Sequence, residues 1–473
     1  MSDSIKFGTD GWRALMSKEF TSANVERVTQ ALCDFLAADF ASKGRKGPAK
    51  VAVGFDWRAN SDVFAKTVAE VLAGNGIETA LSTGACPTPA VSLAVVQNQF
   101  DAGVILTASH NPPDYNGFKI KNDFGGSAEK RITDGVEALL GRNQVRRAAA
   151  GVRSVDLLGP YLEYLKKYVD VERIKQGPFR VLVDSMHGVA DSHIERILAD
   201  GKIRITTVRG NRDVTFGGRA PEPIPSNLKT TMETMAKREH DLAIVTDGDA
   251  DRVGAVRPGG EFISPGTMLA LIMMHFVEDL GRTGSVVTTL SNTALIWRVA
   301  RKLGLKVHET PVGFKYVCDI MRRENVLIGG EESGGIGFQN YLYERDGMLS
   351  GLLLMQMMAH RGKTIDQILT EVEREFGKFH YVRQDIDYPN ELKARLFSHL
   401  KERAPKSFDG LNVAKVRSDD GMKFTLEDDS WLLFRLSGTE PILRVYAESG
   451  SRERAESLVR GGRELAFNLP AAV

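Results

Sequence analysis

Six short apolar runs rich in β-branched residues, each stopping at a polar or glycine-rich turn, constrain this chain more than any other feature of it. They cover residues 51–55, 103–106, 181–183, 242–245, 285–287 and 326–328, and helical patterns lie between them. Strands alternating with helices build parallel sheets, because a parallel neighbour is reached only through a long crossover. In an open parallel sheet the ligand crevice lies beyond the carboxyl ends of the strands. The turns at those ends are Asp56-Trp57-Arg58, Ser109-His110, Asp184-Ser185, 247–251, Ser291-Asn292 and 329–335, so functional residues are expected to concentrate there. The strands fall in pairs into three successive segments, which suggests three similar α/β units.

A chain of 473 residues exceeds the roughly 250–300 at which a single core stops growing, so several domains are expected. Composition places their boundaries at 1–150, 151–258, 259–376 and 377–473. Residues 142–151, with Gln144-Val145-Arg146-Arg147 before three alanines, read as a linker, and 157–169 as the helix opening the second unit. Pro258-Gly259-Gly260 follows the strand 254–256, and the helix 365–376 ends at Gly377. The remainder reads as strands 422–426, 431–434 and 442–446 joined by short turns and followed by a helix from Glu453. That is an antiparallel α+β domain, unlike the first three.

A net charge of +1 gives no reason to expect nucleic acid or an anionic membrane as partner, and leaves small charged metabolites. Cys33, Cys86 and Cys318 are odd in number and form no CxxC pair, which reads as buried, reduced thiols in a cytoplasmic protein. The first residues lack the basic and apolar regions of a secretory signal, and apolar runs such as 268–274 fall short of the ~20 residues that span a bilayer.

Three segments carry chemistry. In Asp247-Gly248-Asp249-Ala250-Asp251-Arg252, alternate carboxylates follow a buried strand and would repel one another without a cation at their centre. An EF-hand would need glycine at the sixth position and glutamate at the twelfth, where Arg252 and Pro258 stand. Hard oxygen ligands favour Mg²⁺, with a phosphoryl oxygen completing the shell. In Thr107-Ala108-Ser109-His110-Asn111-Pro112 no GxSxG elbow surrounds Ser109, and His110, as a sequence neighbour, is expected to point away from it. Arg435-Leu436-Ser437-Gly438-Thr439-Glu440, between two strands, offers backbone N–H groups, hydroxyls and a forked guanidinium, as an anion cradle requires.

Together the three segments resemble an α-D-phosphohexomutase, the family of phosphoglucomutase and phosphomannomutase, and the likeness runs from Phe7 to about Glu448. It implies a heart-shaped assembly of three α/β domains and a smaller α+β domain around a central cleft. It further implies a phosphoryl group on Ser109, whose oxygens anchor Mg²⁺ together with Asp247, Asp249 and Asp251. Lys119, in 116–120, and Arg13, in 7–13, match the family's active-site lysine and N-terminal arginine. Either Lys119 or His110 could serve as general base. Glu331 and Ser333 match the sugar loop, and Lys315 lies in the companion segment 310–315. Arg435, Ser437, Gly438 and Thr439 would hold the phosphate that stays, with Arg444 and Arg252 also assigned to substrate. Gly335 departs from the pattern, since several bacterial relatives carry histidine there.

The implied reaction interconverts glucose 1-phosphate and glucose 6-phosphate, extending to mannose phosphates, through a glucose 1,6-bisphosphate that also primes the enzyme. A monomer or homodimer is expected. Phosphoglucosamine mutase is the nearest rival, although its loop typically has glutamine and histidine at positions 332 and 335. A Mg²⁺-dependent phosphatase and a non-catalytic sugar-phosphate binder are more distant, and the latter would need no nucleophile.

Overall fold

The computed structural model describes residues 5–8, 10–436 and 442–468. Its first three sheets repeat one arrangement. In the first, Ala102–Leu106, Lys50–Phe55 and Glu78–Ser82 lie side by side and parallel, and Tyr115–Lys121 adds antiparallel to Ala102–Leu106. In the second, Leu242–Thr246, Arg180–Asp184 and Arg204–Val208 are parallel, with Val253–Val256 antiparallel beside Leu242–Thr246. In the third, Val326–Gly330, Ser285–Thr289 and Val307–Thr310 are parallel, with Ile336–Phe338 antiparallel beside Val326–Gly330. All six strands read from the sequence are present. An antiparallel neighbour needs only a short turn, so each unit carries one tight loop at the carboxyl ends of its parallel strands. Those three loops hold Ser109, the alternating aspartates and Glu331.

The first sheet also takes in Trp12–Leu15 at one edge and Val152–Val155 at the other, the latter parallel to Glu78–Ser82. The first unit therefore extends past residue 150, where composition places its end. The four residues Val152-Arg153-Ser154-Val155 are too short and too polar a pattern to distinguish from linker. The helix Leu158–Tyr168 then opens the second unit, and Ile365–Phe376 closes the third.

Two almost wholly buried helices, Pro265–Met274 and Gly347–Arg361, fill the space between the second and third sheets. Asp346 starts the second of these helices: its carboxylate accepts from Leu349 N at 2.8 Å, Tyr341 Oη at 2.7 Å and Tyr161 Oη at 2.9 Å. A Cβ on Gly347 would overlap the carbonyl of Arg252, so this helix begins directly against the aspartate loop. The last domain is a six-stranded antiparallel sheet in the order His380–Asp387, Ile442–Ser449, Trp431–Leu436, Met422–Leu426, Leu411–Arg417, Ser407–Phe408. Helices Asn390–Glu402 and Arg452–Phe467 pack on it through Leu396, Leu400, Leu458 and Val459. The three cysteines are buried and unpaired, and burial pushes each thiol up to about 12. Among the described residues no helix is long and apolar enough to cross a membrane.

Candidate active site

Ser109 is held by backbone rather than by a triad. Its φ of 52° puts it in the left-handed region, which a residue with a Cβ enters only under constraint. Thr107 supplies part of that constraint: its hydroxyl accepts from Ser109 N at 2.8 Å and donates to Asp56 at 2.6 Å. Arg58, wholly buried, supplies more by donating to the carbonyls of Ser109, Asn111, Pro112 and Tyr115 at 2.6–3.2 Å. The turn containing Asp56 and Arg58 thus braces the serine loop.

The same left-handed turn corrects the expected separation of Ser109 from His110. Ser109 Oγ lies 3.3 Å from His110 Nδ1 and donates to Asp247 Oδ2 at 2.8 Å. Neighbouring side chains diverge in regular structure, and here the unusual φ brings them to one side. Burial, and then the cations Arg252, Arg13, Lys119 and Arg58, hold His110 well below its ordinary pKa, so its ring is neutral.

Asp247, Asp249 and Asp251 are fully buried and present carboxylate oxygens within 4.8 Å of one another. Ala250, at φ 58°, turns the chain so that alternate side chains converge. The first domain steadies this loop through Thr88, whose N donates to Asp249 O at 3.0 Å and whose hydroxyl donates to Asp249 Oδ2 at 2.6 Å. Burial and the other two aspartates push Asp247 well above the carboxylate range. For Asp249 burial pushes upward too, but Lys119 and the Thr88 hydroxyl outweigh it and hold the group low. Asp249 Oδ1 and Asp251 Oδ1 are buried without a hydrogen-bond partner. Unpartnered carboxylate oxygens in a dry site are costly, and three converging hard donors fit a divalent cation such as Mg²⁺.

Lys119 reaches this cluster from the strand Tyr115–Lys121. Its Nζ lies 2.7 Å from Asp249, 3.0 Å from Asp251 and 3.0 Å from Asp10. Burial disfavours its charge, yet these carboxylates raise its pKa well above the ordinary value. Arg13 donates to Asn111 Oδ1 at 2.9 Å and sits 3.4 Å from Asp10. The Arg252 guanidinium lies 3.9 Å from Glu222, and its backbone N donates to Asp247 Oδ1 at 3.0 Å.

Two participants escape the sequence reading. Asp10 accepts from Ser127 at 3.0 Å and pairs with Lys119 and Arg345. Arg345 donates to Asp10 and to Asp251 at 2.7 Å each, and lies 3.7 Å from Glu331 and 3.4 Å from Glu344. It therefore joins carboxylates of the first three domains. A Cβ on Gly335 would overlap Arg345 Cδ, so the missing side chain at 335 is what admits the arginine. The charged triplet Glu344-Arg345-Asp346, set just before an apolar helix, is the signal available in the sequence.

Glu331 is buried beside Arg345, and burial carries its pKa up to about 7 against the pull of that arginine. Ser333 is half-buried, and Glu332 accepts from Thr289 Oγ1 at 3.0 Å. Lys315 lies in the first turn of the helix Phe314–Met321 with its ammonium 5.0 Å from the Tyr316 ring. In the last domain Arg435 and Arg444 are direct cross-strand partners, and Asp420 and Asp385 stand 3.0 and 3.6 Å from their respective Nε atoms. Like charges paired across strands are unfavourable, and an anion between them reverses that. Ser437, Gly438 and Thr439 lie outside the described residues.

Comparison with known proteins identifies relatives along nearly the whole chain. Residues 4–147, 159–260, 264–376 and 398–461 match, in turn, domains I, II and III and the C-terminal domain of phosphoglucomutase/phosphomannomutase. A phosphoglucomutase/phosphomannomutase of Thermococcus kodakarensis is 31% identical over 97% of this chain and 98% of its own. A phosphoglucosamine/phosphogalactosamine mutase of Sulfurisphaera tokodaii is 29% identical over 96% and 97%. The crystal structure of a Thermus thermophilus protein, described provisionally as a phosphomannomutase, superposes with a TM-score of 0.86 at 34% identity, covering 98% of this chain and 99% of that one.

Four domains and a buried serine–carboxylate site of this kind define an intramolecular phosphotransferase. The chain belongs to the phosphoglucomutase/phosphomannomutase family, the α-D-phosphohexomutases.

Proposed function

We propose that the protein interconverts glucose 1-phosphate and glucose 6-phosphate, with mannose phosphates as further substrates. The observation that carries the reading is the Ser109 hydroxyl, hydrogen-bonded to a buried aspartate whose two neighbours keep unpartnered oxygens, with Lys119 alongside. Asp247, Asp249 and Asp251, with the phosphoryl oxygens on Ser109, would hold Mg²⁺, which supplies charge neutralisation at the transferring phosphoryl. The sugar O6 hydroxyl attacks phosphorus and loses its proton, the bond from phosphorus to Ser109 Oγ breaks, and Oγ takes up a proton by way of His110, whose Nδ1 lies 3.3 Å from it, so the serine hydroxyl is restored. Lys119 and Arg13 offset the spreading negative charge and keep the acceptor in line. The bisphosphate then turns over in the cleft, and Ser109 recovers a phosphoryl from O1. Arg435 and Arg444 hold the phosphate that is not reacting, while Glu331 and Ser333 hold sugar hydroxyls. Added glucose 1,6-bisphosphate would prime enzyme that has lost its phosphoryl.

A phosphoglucosamine mutase is the second reading. The neighbouring carboxylates of Glu331 and Glu332 would suit an ammonium on the sugar, and relatives carry that name. Intact-mass measurement followed by assay on a panel of hexose 1-phosphates tests both. A mass excess of one phosphoryl, lost in Ser109→Ala together with nearly all turnover, is expected, and the panel ranks glucose above glucosamine. Wild-type activity in Ser109→Ala would sink the mechanism, and the reverse ranking would favour the second reading.

A further inference from the structure

The phosphate end of the site is fastened to the third domain through a residue that no motif marks. We propose that Asp420 is a positioning residue for Arg435 and couples it to the segment 310–315. The inference rests on the reading of Arg435 as a phosphate ligand.

Asp420 lies in the turn between the strands Leu411–Arg417 and Met422–Leu426. The next residue, Gly421, has φ +97°, and a Cβ there would overlap Phe434 O and lie 3.3 Å from Arg435 Cα. The turn is therefore pressed onto the strand that carries Arg435, at a distance glycine alone permits. One oxygen of Asp420 then serves two domains. Its Oδ2 accepts from Arg435 Nε at 3.0 Å and from Val312 N at 2.8 Å. Holding Nε fixes the plane of a guanidinium and hence the direction of its terminal amines, which a bidentate grip on phosphate requires. The Asp420 charge also offsets the cross-strand repulsion between Arg435 and Arg444.

Other carboxylates join the same two domains without touching this arginine. Glu448 accepts from Ala294 N at 2.7 Å and from Trp431 Nε1 at 3.2 Å, and Glu309 pairs with Lys423 at 2.9 Å and with Arg417. Asp420 differs in that its partner within the last domain is Arg435, and its partner in the third, Val312, lies in the segment containing Lys315. A shift of the guanidinium on binding phosphate is thereby felt at Val312, two residues before the helix that presents Lys315.

The test compares Asp420→Ala, Asp420→Asn, Arg435→Ala and the double variant Asp420→Ala/Arg435→Ala in the full chain. KM and kcat for glucose 1-phosphate and inhibition by inorganic phosphate are the readouts. Asp420→Ala is expected to raise KM and weaken phosphate inhibition about tenfold, the size of a lost charge-assisted hydrogen bond, with kcat within about twofold. Asp420→Asn keeps an oxygen for Val312 N and should fall between Asp420→Ala and wild type; should Asp420→Ala fail to fold, this variant decides. The double variant should be no worse than Arg435→Ala, because Asp420 acts through that arginine. Wild-type KM in both Asp420 variants, with Arg435→Ala impaired, overturns the coupling alone. An additive double variant overturns it too. Wild-type behaviour in Arg435→Ala overturns the phosphate reading beneath it.

Discussion

At the residue scale the site works by placing groups where their charge is contested. Asp249 is hydrogen-bonded by Lys119 and Thr88 through one oxygen and keeps the other unpartnered. Asp249→Asn should therefore lower Mg²⁺ affinity, read by calorimetric titration, and lower activity, with partial rescue at high Mg²⁺; unchanged metal affinity would remove this residue from the metal shell. Glu331 makes a second prediction, through its carboxyl raised from 4.5 to about 7 by burial. The folded chain then holds a proton that the unfolded chain releases, so this group's contribution to stability is present below pH 4.5 and is lost as pH rises to about 7. Urea midpoints measured across that window should decline in wild type and flatten in Glu331→Gln. Equal slopes would show that another group is titrating.

At the element scale the recurring unit is a parallel strand, a tight loop and an antiparallel strand, used three times. A short loop at the carboxyl edge exposes few side chains and fixes them firmly, which suits phosphoryl transfer, where catalysis is chiefly positioning. The third loop tolerates no side chain at 335, because Arg345 runs through that space. Gly335→Ala should displace Arg345 from Asp10 and Asp251, costing about 1–3 kcal/mol in stability and at least tenfold in kcat/KM. Thermal unfolding and steady-state kinetics check both, and an unperturbed variant would mean that the arginine is dispensable.

At the scale of the whole molecule the domains are joined by charge as much as by apolar contact. Lys121 pairs with Glu344 between the first and third domains, and Arg345 reaches the first and second. Lys423, buried between the third and fourth, pairs with Glu309 and lies 4.7 Å from the Trp431 ring and 5.2 Å from that of Trp297. Removing one partner strands a buried charge, so Glu309→Ala should cost about 3–5 kcal/mol at this junction. Tryptophan fluorescence should report the last domain separating at lower urea than in wild type. By contrast, Lys130→Ala, which breaks the exposed pair with Asp134, should leave the transition where it was.

The sequence by itself determined the six strands that lead into the loops and the loops at their ends, because period and turn chemistry are local properties that neighbouring residues write together, while it left unmarked the third parallel strand of each sheet, Glu78–Ser82, Arg204–Val208 and Val307–Thr310. It also brought forward Ser109 and the three aspartates as candidates, since each sits in a contiguous motif, and Lys119 through the family likeness. Only the tertiary structure decided the rest. The strand Val152–Val155 joined the first sheet because a neighbouring edge was open to it, and His110 turned toward Ser109 because Arg58, remote in sequence, grips the loop's carbonyls. Asp10, Arg345 and Asp420 act on partners as many as 335 residues away, and no local pattern records such a contact. Ion pairs between domains depend on where the folded chain brings charges together, and that placement exists only once the sheets have packed.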